Sequence, residues 1–373
     1  MPRTIRLYAH DVEPSGAPRV TLDVARVLQQ AGHEVQLYFP KRGGLEEQAL
    51  ELGVPTGLIP NPPESFRSAT WSRKLQLLGC RVRTIITVYS ELRKAGKHPV
   101  AWVGSSVLPE VALGAWLAGA RVVLHVHEDL PITRSNRIKA RFFSAICHEF
   151  VFVTRRSTRC FRGIVPSSRI HVVPNRVEAQ FLNPSGGARP RRSAGAPRML
   201  LFVGFLSHRK GVDLLLKALP AVIREHPVTL QLAGSDPLPG APFEAELRSL
   251  VRELKLEGCV EFLGYRSDTR ELLEAADFFV LPSRNESLPL SLVEAMAVGC
   301  PAIATDVGGI RDILKSEKTG WLCSPDSVEE LSAVLIKALN HPHPELIAQK
   351  ARRLILRQFQ PERIDSALLQ LVE

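Results

Sequence analysis

Residues 278–301 read FFVLPSRNESLPLSLVEAMAVGCP, and this pattern decides the fold. The apolar run over 278–281 is typical of a buried strand, which we predict at 277–281, and the apolar residues that follow predict a helix over 288–298. Pro289 suits the first turn of such a helix, because its missing N–H group would find no partner there. A buried strand, a polar loop and a helix together predict one step of a parallel βα sheet.

The same alternation continues on both sides of this segment. In the second half, strands are predicted at 199–203, 229–233, 260–263, 277–281 and 302–305, with helices at 212–225, 243–255, 270–275, 288–298 and 328–339. In the first half, strands are predicted at 5–9, 34–39, 100–103, 121–126, 150–154 and 170–173, with helices at 20–31 and 109–118. Such alternation builds parallel sheets with helices on both faces, so the fold class is α/β.

A segment rich in Pro, Gly and basic residues separates the two series. It spans 183–197 and shows no apolar period, which is typical of a linker. A chain of 373 residues is long for one α/β domain and suits two. We therefore predict an N-terminal domain at 1–183 and a C-terminal domain at 184–354. A final helix at about 355–373 is expected to pack back on the first domain.

Composition indicates an ordinary globular protein, with 45% hydrophobic and 23% charged residues. The first residues lack the apolar region of a signal peptide. The longest apolar region, 100–124, is interrupted by Pro109, Glu110 and Arg121 and is too short to span a membrane. Six scattered cysteines form no CxxC pair, so we expect reduced thiols, no metal site and a cytoplasmic location.

The net charge of +10 arises from 48 Lys and Arg against 38 Asp and Glu. Two basic groups lie in the first half: Arg67, Arg73, Lys74, Arg81, Arg83 and Arg93, then Arg134, Arg137, Lys139, Arg141, Arg155, Arg156, Arg159 and Arg162. One interpretation is a solvated basic face, and the other is a surface for an anionic membrane or a phosphate-bearing acceptor. Since only 6% of residues are aromatic and no binding motif is present, nucleic acid is not expected as a partner.

Two segments carry the candidate chemistry. A predicted strand ends at Gly204, a short loop presents Arg209 and Lys210, and Gly211 opens a helix. Two cations at the carboxyl end of a strand suit a diphosphate, although a solvated loop would show the same pattern. In the segment over 278–301, Glu286 precedes the helix and Glu294 lies within it.

The two glutamates have different interpretations. Glu286 either contacts a ligand or simply caps the helix. Glu294 is surrounded by apolar helix positions, and a buried unpaired carboxylate is costly. Hydroxyl groups of a ribose would give the Glu294 carboxylate the hydrogen bonds that it needs.

With these motifs in place, the chain resembles the retaining GT-B glycosyltransferases of family four. The resemblance rests on Gly204 to Gly211, on Glu286 and Glu294 separated by seven residues, and on AMAVGCP at 295–301 and DVGG at 306–309. It extends to SGA at 15–17, GHEV at 32–35 and VVPN at 172–175, and so covers nearly the whole chain. It implies two Rossmann-like doubly wound domains facing an interdomain cleft.

The resemblance also implies an activity. A sugar would pass from a UDP-, GDP- or ADP-sugar to a glycan, lipid-linked or small-molecule acceptor, with retention of configuration. Neither a metal nor a tightly bound cofactor is expected. Peripheral contact with an anionic membrane at its cytoplasmic face is a further expectation from the basic groups.

Roles for single residues follow from the resemblance. Arg209 and Lys210 would bind the diphosphate, and Glu294 the ribose. Glu286 would contact the transferred sugar, helped by the backbone N–H groups of Leu288 and Leu290.

The resemblance assigns the remaining positions as well. The loop at Gly16 would approach the phosphates, and Tyr265 and Arg266 would lie beside the base. His127 matches the catalytic histidine that contacts the donor sugar or the acceptor, and His125 is predicted to point to the opposite face. Weaker acceptor or cleft positions are Ser15, Asn175 and Arg176.

Two departures from the family pattern leave alternatives open. The usual Gly-Arg-Leu reads Gly204-Phe205-Leu206, which removes one phosphate-binding arginine, and the usual Asn-Gly reads Asn175-Arg176. The alternatives are a catalytically inactive scaffold subunit, or a nucleotide-sugar epimerase or phosphorolytic enzyme on the same fold.

Overall fold

The computed structural model describes residues 2–12, 16–60, 71–182 and 196–373. The chain divides into two compact units: residues 1–176 with 362–373 form unit 1, and residues 177–361 form unit 2. The division falls between Arg176 and Val177, ahead of the predicted boundary at 183, and the returning segment begins at Glu362. Most of the predicted linker, 183–195, lies outside the described residues.

Unit 1 contains a seven-stranded sheet in which every strand pair is parallel. Its elements are β1 (Thr4–Tyr8), α1 (Gly16–Gln30), β2 (Glu34–Phe39), α2 (Gly44–Glu51), β3 (Thr56–Leu58), α3 (Trp71–Lys94), β4 (Val100–Val103), α4 (Pro109–Leu117), β5 (Arg121–Val126), α5 (Arg134–Ile146), β6 (Glu149–Phe152) and β7 (Ile170–Val172). The strand order is β3-β2-β1-β4-β5-β6-β7. The order steps outward on both sides of β1, as in a doubly wound fold.

Three helices of unit 1 share one face of the sheet. Val88 of α3, Val111 of α4 and Phe143 of α5 belong to a single buried cluster with strand residues such as Leu124 and Phe150. The connections through α1 and α2 step toward β3, whereas those through α4 and α5 step toward β7. Because such crossovers are right-handed, α1 and α2 lie on the other face.

Unit 2 contains a six-stranded parallel sheet of order β10-β9-β8-β11-β12-β13. Its elements are α6 (Ala179–Leu182), β8 (Arg198–Val203), α7 (Val212–Glu225), β9 (Val228–Ala233), α8 (Pro242–Glu253), β10 (Val260–Gly264), α9 (Thr269–Ala275), β11 (Phe278–Leu281), α10 (Leu290–Ala297), β12 (Ala302–Thr305), α11 (Ile310–Ile313), β13 (Trp321–Cys323), α12 (Val328–Leu339) and α13 (Pro344–Gln358). The last helix, α14 (Pro361–Gln370), precedes the C-terminus. The predicted α/β class with two Rossmann-like sheets is confirmed.

Some boundaries differ from the prediction. Helix α10 begins at Leu290 rather than 288, and Pro289 is its N-cap residue rather than part of its first turn. Helix α1 begins at Gly16, four residues earlier than predicted, and Gly16 itself has a positive φ of 58°. Within the described ranges, no helix is both long and apolar enough to cross a membrane. All six cysteines are free thiols.

Candidate functional site

Two neighbouring strands of unit 2 bring the predicted site residues together. Strands β8 and β11 pair side by side, so the loops that follow them, 204–211 and 282–289, meet at the carboxyl edge of the sheet. Gly211 has a φ of 70°, and a Cβ atom there would lie 2.0 Å from the carbonyl oxygen of Pro282. Only glycine fits this contact, so the closeness of the two loops explains the residue.

Glu286 is the centre of this site. Its side chain is only 7% exposed, and Lys210 Nζ donates to its Oε1 at 2.6 Å. Arg209 forms an ion pair with the same oxygen at 3.2 Å, and Ser283 Oγ donates to it at 3.0 Å. Arg209 is half exposed, whereas Lys210 is nearly buried. The two residues predicted to bind the diphosphate, Arg209 and Lys210, therefore contact the residue predicted to bind the sugar, Glu286, at one carboxylate oxygen.

The charges at this cluster stabilise one another. Burial alone would raise the pKa of Glu286, but the Lys210 ammonium and the Arg209 guanidinium outweigh burial and lower it. The carboxylate is therefore ionised at neutral pH. Glu286 does not cap α10, because the N-cap residue is Pro289 and no side chain caps that helix. The capping alternative for Glu286 was wrong.

Arg284 is a contributor that sequence reasoning missed. Its guanidinium donates to both carboxylate oxygens of Asp213 at 2.7 Å, to Asp326 Oδ1 at 2.6 Å and to the His208 carbonyl at 2.6 Å. Its backbone N–H donates to the Arg209 carbonyl at 2.8 Å. Asp213, Asp326 and the loop at 208–209 are thus tied to the loop after β11. Its position two residues before Glu286, in the loop after a predicted strand, was the only sequence signal available.

Gly308, in the turn after β12, belongs to the DVGG motif, but the sequence predicted no role for it. It has a φ of 53°, and a Cβ atom there would lie 1.6 Å from the Glu286 carbonyl oxygen. The neighbouring Gly309 N–H donates to the Ser287 carbonyl at 2.7 Å. Gly308 therefore lets the turn approach the backbone that carries Glu286, and the Gly309 N–H group supports that backbone.

Helix α10 carries the remaining donor positions predicted for this edge. Leu288 is 7% exposed and lies just before the helix, and Leu290 is its first residue. N–H groups of a first helical turn have no partner within the helix, so they point toward the strand end. Glu294 is half-buried rather than buried, which corrects the expected desolvation of its carboxylate. The correction arises because only one side of α10 packs into the core.

The two residues predicted beside the base lie after β10. Tyr265 is 71% exposed. Arg266 Nε donates to Asp268 Oδ1 at 2.7 Å, in an exposed ion pair two residues away. Neither side chain contacts the Glu286 cluster by any hydrogen bond or ion pair within the described ranges.

In unit 1, His127 follows the end of β5. Its Nε2 atom is buried and has no hydrogen-bond partner among the described residues. Burial lowers its pKa to about 4, so the ring is neutral at pH 7. The prediction that His125 points to the opposite face was wrong: the two rings lie 4.0 Å apart. Residues i and i+2 of a strand share one face, which explains the contact.

Further polar side chains accompany His127. His10, just after β1, has a buried Nδ1 atom, and Glu128 has a buried Oε2 atom, both without a partner among the described residues. Ser105 Oγ, just after β4, donates to the other carboxylate oxygen of Glu128. Burial lowers the pKa of His10, opposed by the Glu128 carboxylate. These residues form the strand-end cluster of unit 1.

The other predicted positions of unit 1 are more dispersed. Gly16 is exposed, and a Cβ atom there would meet nothing within 4 Å; Ser15 lies outside the described residues. Asn175 is 7% exposed, and its Oδ1 has no partner within the described ranges. Arg176 forms an ion pair with Asp365 of α14 at 3.2 Å. This ion pair is a contact within unit 1, and the acceptor or cleft role of Arg176 stays a prediction.

Within residues 2–12, 16–60, 71–182 and 196–373, no group of three or more His, Cys, Asp or Glu side chains is arranged to hold a metal ion.

Two family models match the chain, one for each half. Residues 14–181 match Glycosyltransferase Family 4, and residues 189–355 match Glycosyl transferases group 1. The matches meet near the division between the two units.

Several curated proteins are similar to part of the chain. An uncharacterized glycosyltransferase of Methanocaldococcus jannaschii is 36% identical over 146 residues, which cover 37% of this chain and 36% of that protein. The glycogen synthase of Mycobacterium tuberculosis is 31% identical over 207 residues, covering 54% and 48%. The putative colanic acid biosynthesis glycosyltransferase WcaL of Salmonella typhimurium is 28% identical over 196 residues, covering 50% and 47%. The chain spans about half or less of the length of these relatives.

Solved structures resemble the fold over its whole length. HepE from Anabaena, crystallised with UDP and glucose, superposes with a TM-score of 0.81 at 20% identity, covering 99% of this chain and 98% of that one. Sucrose-phosphate synthase from Thermosynechococcus elongatus gives a TM-score of 0.77 at 19% identity, covering 99% and 98%. At such identities the likeness concerns the fold.

Proposed function

The chain belongs to the GT-B glycosyltransferases of family 4, and on that premise we propose that it transfers a hexosyl group from a nucleoside-diphosphate sugar, with retention of configuration. The acceptor in this proposal is a glycan, a lipid-linked or a small-molecule hydroxyl compound. UDP is the first nucleotide to test, because HepE was crystallised with it.

One observation carries the proposal: the cluster of Lys210, Arg209 and Glu286 at the carboxyl edge of the second sheet. Ligands of open α/β sheets bind at this edge. Here two cations and the N-terminus of α10 suit the donor diphosphate. Glu286 then accepts a hydrogen bond from a hydroxyl group of the sugar, and the half-buried Glu294 accepts from the ribose.

The proposed reaction breaks the bond between the anomeric carbon and the diphosphate oxygen. The acceptor oxygen bonds to that carbon on the same face, and its proton passes to the leaving diphosphate. Arg209 and Lys210 stabilise the growing negative charge, in the role that a metal ion plays elsewhere, and they are already held in place by Glu286. The neutral His127 is proposed to contact the sugar or the acceptor through its buried Nε2.

Calorimetric titration with UDP, GDP and ADP tests the donor site. We expect one nucleotide to bind, and Glu294→Ala to weaken it about tenfold, the equivalent of about 1.4 kcal/mol. The exposed Glu246 of α8 gives a matched control, since Glu246→Ala removes the same group from outside the site. If no nucleotide binds, the scaffold alternative replaces the proposal, and Phe205 becomes the position to examine.

Peripheral contact with an anionic membrane is the second part of the proposal, and α3 and α5 support it. Exposed apolar residues at Leu78, Val82, Ile86 and Tyr89 recur along one side of α3. Helix α5 exposes Ile138 and Phe142 and contains four basic and no acidic residues. Helices with apolar and basic residues on their exposed side bind anionic lipid interfaces. Of the basic residues predicted to take part, Arg67 and the side chains of Arg73 and Lys74 lie outside the described residues.

Cosedimentation with vesicles tests this contact. We expect binding at low salt to vesicles half of phosphatidylglycerol, weaker binding at high salt, and little to phosphatidylcholine alone. Changing Val82 and Ile86 to Ser is expected to reduce binding severalfold. Leu238→Ser in unit 2 is the control, because Leu238 is equally exposed at 59%. Absence of binding at low salt would contradict the proposal.

A further inference from the structure

The strand-end cluster of unit 1 contains buried polar atoms that the protein itself leaves without partners. His10 Nδ1, His127 Nε2 and Glu128 Oε2 are all buried, and none has a hydrogen-bond partner within the described ranges. An unmet buried polar atom costs about 1–3 kcal/mol. Native proteins therefore satisfy nearly all such atoms with protein, water or a ligand. Several such atoms in one cluster therefore indicate a site where a ligand supplies the missing hydrogen bonds.

These atoms belong to one place. Strands β1 and β5 flank β4 in the sheet, so His10, Ser105 and His127 follow three adjacent strand ends. Ser105 Oγ donates to Glu128 Oε1, which leaves Oε2 as the free oxygen of that carboxylate. Burial lowers the pKa of both His10 and His127, and in each case the nearby Glu128 carboxylate opposes the effect. The histidines and the glutamate therefore act on one another at short range.

The atoms left over define the chemistry of the missing group. The free oxygen of the Glu128 carboxylate can only accept a hydrogen bond, so the ligand must donate there. A neutral imidazole both donates and accepts. A hydroxyl group fits both needs, since it donates to Glu128 and can accept from a histidine N–H. A phosphate or carboxylate group would instead place a like charge against Glu128.

A neighbouring cation, Lys139, does not change this requirement. Lys139 Nζ donates to Ser106 Oγ at 3.2 Å, so the ammonium is already engaged beside the cluster. Burial lowers the pKa of Lys139, and Glu128 opposes that effect.

We propose that Glu128, together with His10 and His127, binds a hydroxyl group of a neutral, hydroxyl-rich acceptor and discriminates against an acceptor that is anionic at this point. The inference rests on the proposed glycosyl transfer and deepens it, because it names the chemical class of the acceptor. Glu128 is thus a specificity-determining residue that the family resemblance did not assign.

Asp129, the next residue, provides a matched control. Its carboxylate pairs with Arg156 Nε at 3.2 Å and is therefore already satisfied. Glu128→Gln and Asp129→Asn each remove one negative charge with little change in shape. Only the first alters the carboxylate oxygen that waits for a ligand.

The experiment is saturation-transfer NMR on the full chain, with and without UDP. The probes are the methyl glycosides of glucose, galactose, mannose and N-acetylglucosamine, each compared with its 6-phosphate. We expect at least one neutral glycoside to bind at least tenfold more tightly than its phosphate. Glu128→Gln is expected to weaken binding of that glycoside at least fivefold and to reduce the preference for the glycoside over its phosphate. Asp129→Asn is expected to leave the affinity and the preference unchanged.

Three results would overturn the inference. They are equal or tighter binding of the phosphates, absence of binding by every neutral glycoside, and equal losses in the Glu128 and Asp129 variants. UDP affinity in the same samples reports separately on the donor site of unit 2. A chain that binds UDP but fails with the glycosides overturns only the acceptor inference, whereas failure to bind any nucleotide overturns the proposed function.

Discussion

The carboxyl edges of the two sheets differ in how their buried polar groups obtain hydrogen-bond and ion-pair partners. In unit 2, the edge is charged, and its ions satisfy one another: Lys210 and Arg209 hold the buried carboxylate of Glu286. In unit 1, the edge is rich in neutral imidazoles, and buried atoms of His10, His127 and Glu128 lack partners within the described ranges. The two edges therefore differ in whether the protein completes its own polar contacts.

Electrostatics explains the difference. A buried ion without a partner costs far more than a buried neutral polar atom, so the charged cluster of unit 2 has to be paired before any ligand arrives. A histidine avoids that cost by staying neutral, and its unmet hydrogen bonds cost only about 1–3 kcal/mol each. A prepaired edge suits an anion that shares its cations. An unpaired edge suits a neutral ligand that brings its own hydroxyl groups.

The largest test of the charged edge is Gly308→Ala. The new Cβ atom would lie 1.6 Å from the Glu286 carbonyl oxygen, so the backbone that carries the carboxylate must move. We expect a loss of more than about 3 kcal/mol in the free energy of unfolding, and loss of nucleotide binding. Gly240→Ala is the control, because Gly240 has a φ of 79° but nothing within 4 Å of the added atom. Equal losses in the two variants would show that backbone φ, rather than the contact with Glu286, sets the effect.

Removing the buried cation is the next largest change. Lys210→Met leaves Glu286 with the half-exposed Arg209 as its cationic partner, so we expect a loss of about 3 kcal/mol in the free energy of unfolding at pH 7. Nucleotide affinity is expected to fall at least tenfold. Lys217→Met, at an exposed position of α7, serves as the control.

The pH dependence of that loss sharpens the test. The lowered pKa of Glu286 contributes stability above the pKa of the unfolded chain, about 4.3, and this contribution disappears as the pH falls through the folded value. The difference between wild type and Lys210→Met should therefore shrink in acid. A difference that stays constant with pH would mean that Lys210 stabilises the fold by packing alone.

The sequence predicted strands well where their apolar residues form a continuous run. Strands over 34–39, 100–103, 121–126 and 302–305 match the prediction residue for residue, because strands buried on both faces leave an uninterrupted signal. Of the three-residue strands, β7 was predicted at 170–173, whereas β3 and β13 were missed. Helices α3 and α5 were missed because the basic residues on their exposed sides interrupt the apolar pattern.

The site was predicted as a set of residues but not as a set of contacts. Arg209, Lys210 and Glu286 were assigned from motifs, yet Lys210 and Glu286 are 76 positions apart and meet only because β8 and β11 are neighbours. Strand order of this kind is not legible in a local pattern. For the same reason, the sequence did not predict the contacts of Arg284 and Gly308, whose partners are also distant in sequence.

Arg284 offers a smaller test of how firmly the charged edge is held. Arg284→Lys keeps the charge but loses the two-pronged contact with Asp213. We therefore expect the free energy of unfolding, measured by chemical denaturation, to fall by about 2 kcal/mol. Arg311→Lys is the control, because Arg311 forms an exposed pair with Asp306. If the two substitutions cost the same, the Arg284 contacts contribute no more than a surface pair.

The smallest expected change in stability concerns His127, at the carboxyl edge of the sheet of unit 1. It arises from keeping a buried group neutral, whereas the effect at Glu286 arises from pairing a buried charge. Because burial lowers the pKa of His127 to about 4, the neutral ring contributes stability that is complete above the unfolded value, about 6.5, and is lost as the pH falls toward 4. Between pH 7 and pH 5 the loss should be about 1–2 kcal/mol. Urea denaturation of wild type and His127→Asn at the two pH values measures it, and the variant should show a smaller loss. If the variant loses as much as wild type, His127 is protonated without cost, and the distinction between a neutral and a charged edge fails at that residue.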